Sequence, residues 1–145
     1  MPVSSDMLDG GVAVVTLSPA ASSNTFSPDH FDPFLSCLQE VMANPSCRSV
    51  VITGSGRFFS SGGNMDDFSD AIENGSIGTR VQEMTDKLHP LLMKMRTSEK
   101  VFVCAINGSA AGGGLGLALA SDYRVCSPEA KLASAFFRLG LSPDG

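Results

Sequence analysis

The chain contains 145 residues, of which 43% are hydrophobic and 17% are charged, and its formal net charge is -5 at pH 7. This composition is that of one folded domain and excludes a disordered segment. The excess of acidic over basic residues also disfavours a protein that binds the phosphate backbone of nucleic acids.

The first third of the chain predicts two strands joined by a helix. Residues 12–17 and 49–53 are short runs of mostly apolar residues bounded by glycine, serine or proline, which is typical of strands. Between them, Ser27 is a predicted N-cap, Pro28 is the first residue of an amphipathic helix, and Asn44 ends that helix. This order predicts a right-handed βαβ unit.

The remaining two thirds continue the alternation of strands and helices. We expect a short helix and a mobile loop within residues 66–78, followed by a second amphipathic helix over 80–96. The glycines at 112–114 open a further apolar helix. Additional strands are expected at 101–106, 122–126 and 131–134. The alternation predicts an α/β domain.

The sequence gives no indication of a membrane span, a secretory signal or a metal site. The longest apolar run, residues 115–120, is far shorter than the ~18 residues that a membrane span needs. The first six residues lack a basic segment followed by an apolar run. With two histidines and no C-x-x-C pair, we expect reduced thiols in an intracellular protein. The cysteines are Cys37, Cys47, Cys104 and Cys126.

Two glycine-rich loops, residues 60–64 and 111–114, each follow a predicted strand. In the second loop the glycines open a helix, whose first N–H groups are unpaired and lie at the positive end of the helix dipole. Such a loop can bind an anion or a developing oxyanion. Neither loop fits G-x-G-x-x-G, a P-loop or a G-x-S-x-G elbow. From spacing alone, close packing of strand against helix is the alternative explanation.

Five segments carry a recognisable series of motifs in a consistent order. Residues 58–65 read FFSSGGNM, and residues 105–114 read AINGSAAGGG. They resemble the F-x-x-G-x-D-[LI] loop and the A-x-N-G-x-[AC]-x-G-G-G signature of the crotonase (enoyl-CoA hydratase/isomerase) superfamily. Residues 122–125, 129–132 and 137–145 resemble that superfamily's D-x-R-[IV], x-A-x-[FL] and x-x-[LI]-G-L-x-P-x-G segments. On these motifs the chain is identified as a member.

The resemblance implies an α/β fold, a crotonase-like spiral of ββα units. Residues 1–145 would form its N-terminal, acyl-CoA-binding core, as a fragment that lacks the C-terminal helical part. The implied partner is an acyl-CoA substrate, and the full-length form would be a homotrimer or hexamer. No metal or redox cofactor is implied, because the CoA is carried by the substrate.

The resemblance also implies the site. The backbone N–H groups of Gly63 and Gly113 would hold the thioester oxygen, and such donors stabilise an enolate as its charge develops. The implied substrate-binding residues are Ser61, Gly62, Asn64, Met65, Gly112 and Phe136.

The acid–base residues of the family indicate which reaction to expect. Family hydratases use two glutamates, and the matching positions here are Gly116 and Phe136, neither of which ionises. Family isomerases place one carboxylate where this chain has Asp144. We therefore expect an enoyl-CoA isomerase of fatty-acid oxidation, in which Asp144 moves a proton from C2 to C4.

Three alternatives stay open at this point. The first is an enoyl-CoA hydratase or acyl-CoA hydrolase with a rearranged base, and the second is a catalytically silent CoA-binding homologue. The third concerns Asp144 alone, which also fits a simple turn residue in Pro-Asp-Gly.

Overall fold

The computed structural model describes residues 1–143, and Asp144 and Gly145 lie outside the described residues. The chain alternates strands and helices throughout. In chain order the elements are β1 (Val3–Leu8), β2 (Val12–Leu17), α1 (Pro19–Ser23), α2 (Pro28–Ala43), β3 (Ser49–Gly54), β4 (Phe58–Ser60), α3 (Met65–Glu73), α4 (Ile77–Thr97), β5 (Val101–Ile106), β6 (Ser109–Ala111), α5 (Gly113–Ala120), β7 (Tyr123–Cys126), β8 (Leu132–Ala133) and a 3-10 helix (Phe136–Leu139).

The strands form two sheets, and from β3 onward successive strands alternate between them. The larger sheet has the order β1-β2-β3-β5-β7, in which only the β1–β2 pair is antiparallel. The smaller sheet has the order β4-β6-β8 and is parallel throughout. From β3 onward, one strand in each sheet is followed by a helix. This arrangement is the repeated ββα unit that the family resemblance implies.

The core lies between the larger sheet and the two long helices. In β2 and β3 every second residue is buried, because alternate side chains of a strand point to opposite faces of a sheet. The helices α2 and α4 contribute the facing apolar stripes. Fully buried core residues include Val15, Leu17, Ile52 and Phe102 from the sheet and Phe31, Phe34, Leu38, Leu88 and Met95 from the helices.

The structure differs from the sequence-based expectation in several elements. β1, β4, β6, α1 and the 3-10 helix are not predicted from the sequence. β1 buries only Val3 and is an edge strand, so it carries no hydrophobic alternation. The expected mobile loop within 66–78 is only three residues long, because α3 ends at Glu73 and α4 begins at Ile77. Ser27 precedes α2 as expected, but its hydroxyl contacts His30 rather than a backbone amide.

Parallel pairing in the smaller sheet positions the two glycine-rich loops. β4 and β6 are hydrogen-bonded neighbours that run in the same direction. Their carboxyl ends therefore lie at the same edge of the sheet, and the loops that follow them emerge side by side. None of the helices in the described part of the chain is long and apolar enough to cross a membrane.

Candidate active site

The first glycine-rich loop follows β4 and is held by the segment around α1. The Ser61 N–H donates to the Ser22 carbonyl at 2.9 Å. The Gly62 N–H donates to Ser60 Oγ at 3.4 Å, and the Gly62 carbonyl accepts from the Phe26 N–H at 3.2 Å. Gly62 has a φ of +90°, a conformation that residues with a side chain rarely adopt. Both peptide groups of Gly62 are thus fixed.

The second loop follows β6 and turns directly into α5. Gly112 has φ +53° and ψ -126°, and its N–H donates to the Ala133 carbonyl at 3.0 Å. Its carbonyl accepts from Leu115 N–H at 3.0 Å and Gly116 N–H at 3.1 Å, which forms the first turn of α5. The next amide, that of Gly113, is the first of the helix.

The two loops pack backbone against backbone. A Cβ added at Gly62 would lie 2.8 Å from the Ala111 carbonyl oxygen and 3.6 Å from Gly113 N. A Cβ added at Gly114 would lie 2.3 Å from the Ser60 carbonyl oxygen. Close packing therefore requires glycine at positions 62 and 114. At these two positions the packing of strand against helix accounts for the glycine-rich sequence of the loops. The same packing brings the two predicted donor loops into contact.

Within residues 1–143, the amides of Gly63 and Gly113 have no internal hydrogen-bond acceptor, and the same holds for the next amide in each loop, that of Asn64 and that of Gly114. The preceding carbonyls, of Gly62 and Gly112, are both occupied as described above. In a planar trans peptide the N–H points opposite to the C=O. In each of these two peptide groups, the free N–H therefore points away from the residue that hydrogen-bonds to the carbonyl oxygen.

The other predicted site residues have more varied surroundings. Asn64 caps α3, with its Oδ1 accepting from the Asp66 N–H at 2.9 Å. Met65 is the exposed first residue of that helix. Phe136 is the half-buried first residue of the 3-10 helix. The predicted proton carrier, Asp144, lies outside the described residues.

A cleft of about 510 Å³ lies beside the first loop. Asn64, the residue after Gly63, is part of its wall, and most of the other lining residues are also polar. Asn24 and His30 approach from the α2 side, and Asp67 and Arg80 form a 3.2 Å ion pair on the α3–α4 side. The cleft provides space for a ligand beside Asn64, and its lining includes neither Gly63 nor a residue of the second loop.

Residues under the first loop are functional candidates that the sequence did not reveal. Thr25 Oγ1 and Ser60 Oγ lie 2.7 Å apart and are both fully buried. Phe26 binds the Gly62 carbonyl through its backbone. Ser18 and Pro19 form an N-cap and first-helical-residue pattern that could have predicted α1 and placed this segment. Thr25 and Phe26 themselves have no sequence signal.

Comparison with protein families gives a match over nearly the whole chain. The family model described as "Enoyl-CoA hydratase/isomerase" matches residues 8–145. The chain is 31% identical over 137 residues to the 1,2-epoxyphenylacetyl-CoA isomerase of Escherichia coli K12, covering 94% of this chain and 52% of that protein. It is 32% identical over 137 residues to a Bacillus subtilis protein named "Probable enoyl-CoA hydratase", covering 94% and 51%.

Solved structures give the same result for the fold. An enoyl-CoA hydratase from Polaromonas sp. JS666 matches with a TM-score of 0.83 and 32% identity, over 98% of this chain and 54% of that one. An enoyl-CoA hydratase from Bacillus halodurans matches with a TM-score of 0.84 and 26% identity, over 99% and 57%. The predicted crotonase-like fold is thus confirmed. The chain spans about half the length of the curated relatives it matches.

Proposed function

Because the chain belongs to the enoyl-CoA hydratase/isomerase family, we propose that the protein binds an acyl-CoA thioester and shifts its double bond. The specific activity proposed is that of a Δ3,Δ2-enoyl-CoA isomerase or a close double-bond isomerase. The relative named 1,2-epoxyphenylacetyl-CoA isomerase supports the coarser part of the proposal, an isomerase that acts on a CoA thioester.

The pair of free backbone amides at Gly63 and Gly113 carries the proposal. Both lie in loops that touch each other, and neither donates within residues 1–143. Loss of the C2 proton from a 3-enoyl thioester gives a dienolate whose negative charge is largest on the thioester oxygen. Two fixed N–H donors at that oxygen would stabilise the charge as it develops, and one such donor typically contributes about 3 kcal/mol.

The proton transfer is assigned to Asp144. Gly116 is buried in α5 and Phe136 lies in the 3-10 helix, so the two positions that resemble the hydratase glutamates offer no carboxyl group. In the proposed reaction the Asp144 carboxylate takes a proton from C2 and returns it to C4. The C3–C4 double bond becomes a C2–C3 double bond, and no electron is gained or lost. The reaction therefore needs no redox cofactor.

A hydratase is the second candidate, because a relative and two of the structural neighbours carry that name. It would need a base other than residues 116 and 136 to activate water. The two activities are distinguished by their substrates. A hydratase consumes a 2-enoyl-CoA and loses the absorbance of the conjugated thioester, whereas the isomerase produces that absorbance from a 3-enoyl-CoA.

The test is to incubate the protein with a 3-enoyl-CoA and follow the conjugated 2-enoyl thioester by absorbance. We expect turnover by the wild type and its loss in Asp144→Ala, since removing a general base typically costs ~10²–10⁴-fold. Asp9→Ala, an exposed carboxylate in the β1–β2 turn, is the matched control and should keep the wild-type rate. Tight acyl-CoA binding without turnover on either substrate would instead indicate a silent CoA-binding protein.

We also propose an oligomeric state for the full-length protein. The family resemblance implies a homotrimer or hexamer for the full-length protein. Light scattering coupled to size-exclusion chromatography measures this directly, and a monomer at micromolar concentration would contradict it.

A further inference from the structure

Phe26, in the loop between α1 and α2, contacts both of the proposed donor loops. Its side chain is only 3% exposed, and no motif of the sequence singles it out. Its backbone binds one loop and its ring packs on the other. The two contacts are independent, because one is a hydrogen bond of the main chain and the other is packing of the side chain.

The backbone contact orients the Gly63 amide. The Phe26 N–H donates to the Gly62 carbonyl at 3.2 Å. This carbonyl and the Gly63 N–H belong to one planar peptide group, so fixing the oxygen fixes the direction of the N–H. The same hydrogen bond polarises the peptide and strengthens its N–H as a donor. The fully buried Thr25–Ser60 hydroxyl pair, at 2.7 Å, holds the loop on its other side, since Ser60 Oγ accepts from the Gly62 N–H.

The ring contact limits the position of Gly113. A Cβ added at Gly113 would lie 2.6 Å from Phe26 Cε2, 3.1 Å from Cδ2 and 3.3 Å from Cζ. The ring therefore packs directly on the Gly113 α-carbon. Phe31 holds the ring from another side in an edge-to-face contact, with ring centroids 4.8 Å apart and planes at 77°. Because the ring is confined, Gly113 cannot move towards Phe26 without a clash.

We propose that Phe26 is a positioning residue that sets the separation of the Gly63 and Gly113 amides. The inference rests on the proposed function, since it assigns Phe26 a role in the same pair of donors. Phe26 does not contact the reacting atoms in this account. It acts by keeping the two donor loops, which belong to different ββα units, at a fixed distance from each other.

The test compares Phe26→Leu and Phe26→Ala with Phe34→Leu. Phe34 is a fully buried phenylalanine of α2. Phe34→Leu therefore removes a core ring that makes neither of the contacts described for Phe26. Two experiments are made on each folded variant, a kinetic one and a spectroscopic one. The first measures kcat and KM on a 3-enoyl-CoA, and the second measures the infrared carbonyl band of bound butanoyl-CoA labelled with ¹³C at the thioester carbon. The carbonyl band reports donor geometry and is insensitive to a loss of stability alone.

We expect kcat to fall about 10-fold in Phe26→Leu and about 100-fold in Phe26→Ala, because a misplacement of ~1 Å can cost ~10²-fold. KM should stay within about threefold, because ground-state binding depends less on the donor geometry. The downshift of the bound carbonyl band should decrease in the same order. Phe34→Leu should keep both the wild-type kcat and the wild-type band.

Two results would overturn the inference while the proposed function stands. One is an active wild type whose Phe26→Leu variant keeps its kcat and carbonyl band. The other is an equal loss of kcat in Phe34→Leu. A wild type that neither turns over the substrate nor shifts the carbonyl band would instead contradict the proposed function itself. Should Phe26→Ala fail to fold, Phe26→Leu decides alone, since it keeps an apolar side chain at the site.

Discussion

At the scale of single residues, two glycines determine where the proposed donors point. Gly62 and Gly112 both have positive φ, and each immediately precedes a free amide. At Gly112 a φ of +53° with a ψ of -126° turns the next peptide so that its N–H lies outside the first turn of α5. A side chain at this position would favour a different φ and would turn the Gly113 amide with it.

Gly112→Ala tests this conformational requirement. A Cβ at Gly112 meets no atom within 4 Å, so the substitution introduces backbone strain without a steric clash. We expect the free energy of unfolding to fall by about 1–2 kcal/mol and kcat to fall at least ~10-fold. Urea denaturation and the isomerase assay measure the two effects.

Gly75→Ala is the matched control, because Gly75 also has positive φ (+74°) and open space around its Cβ but lies in the α3–α4 loop. It should lose a similar amount of stability and keep its kcat. A Gly112→Ala protein with wild-type kcat would show that the conformation at residue 112 does not position a donor.

At the scale of elements, the side chain of Asn107 ties the β5–β6 turn to the β3–β4 turn. Its Oδ1 accepts from the Gly54 N–H at 2.9 Å, and its Nδ2 donates to the carbonyls of Gly56 and Phe58, each at 3.2 Å. These bonds connect the ends of the larger sheet's strands to the start of β4. They therefore fix how the smaller sheet, which carries both donor loops, sits on the larger one.

Asn107→Ala should lower the free energy of unfolding by about 2 kcal/mol, because the three hydrogen bonds above are lost and each contributes about 1 kcal/mol or less at a partly exposed site. The Thr53 hydroxyl, 3.4 Å from Asn107 Oδ1, keeps its 2.8 Å hydrogen bond to the Ala105 carbonyl. Asn44→Ala is the comparison, since Asn44 Oδ1 accepts one local hydrogen bond, from the Ser46 N–H at 2.9 Å. It should cost about 1 kcal/mol or less. Equal losses of stability in urea denaturation would contradict the bridging role of Asn107.

The elements also show what the sequence can predict and what it cannot. α2 and β3 are long enough to display their periodicities, so their limits follow from Pro28, Asn44 and the glycine after Thr53. β4 and β8 have three and two residues, too few for any period, and exist because they pair within the smaller sheet. The short strands are therefore a consequence of the tertiary fold.

The residues of the candidate site also fall into those that the sequence indicates and those that it does not. Gly63 and Gly113 can be proposed as donors from the sequence because the glycine-rich motifs that carry the family resemblance are local. Thr25, Phe26 and Ser60 could not, since their roles depend on contacts between segments 35 or more residues apart, as in the Thr25–Ser60 pair. An ordinary serine, threonine or phenylalanine in a connecting segment has no pattern that separates support of a loop from simple burial.

At the scale of the whole molecule, the buried thiol of Cys104 couples global stability to pH. Cys104 lies in β5, in the interior of the larger sheet, and is fully buried. Burial raises the pKa of this thiol to about 11, although a hydrogen bond with Ser121 and the charge of Arg124 oppose the shift. Below pH 9 the thiol is protonated in both the folded and the unfolded chain. Above pH 9 only the unfolded chain ionises, so the fold loses stability as the pH rises towards 11.

The contribution of Cys104 should reach about 2 kcal/mol by pH 11, since one pKa unit corresponds to about 1.4 kcal/mol. Urea denaturation at several pH values checks this against Cys104→Ala, which lacks the ionising group. The stability difference between the two proteins should narrow from pH 9 to pH 11. A constant difference between wild type and Cys104→Ala would contradict this account.

The whole fold brings the ends of β4 and β6 together, and the central claim is that the Gly63 and Gly113 amides bind one thioester oxygen there. The most direct measurement follows the two amide protons by NMR in the ¹⁵N-labelled protein titrated with butanoyl-CoA. The account predicts that both move downfield as the ligand saturates and that CoA without an acyl group, which has no thioester carbonyl, leaves them in place. Saturable binding of butanoyl-CoA with both protons unmoved, or moved equally by CoA alone, would contradict it.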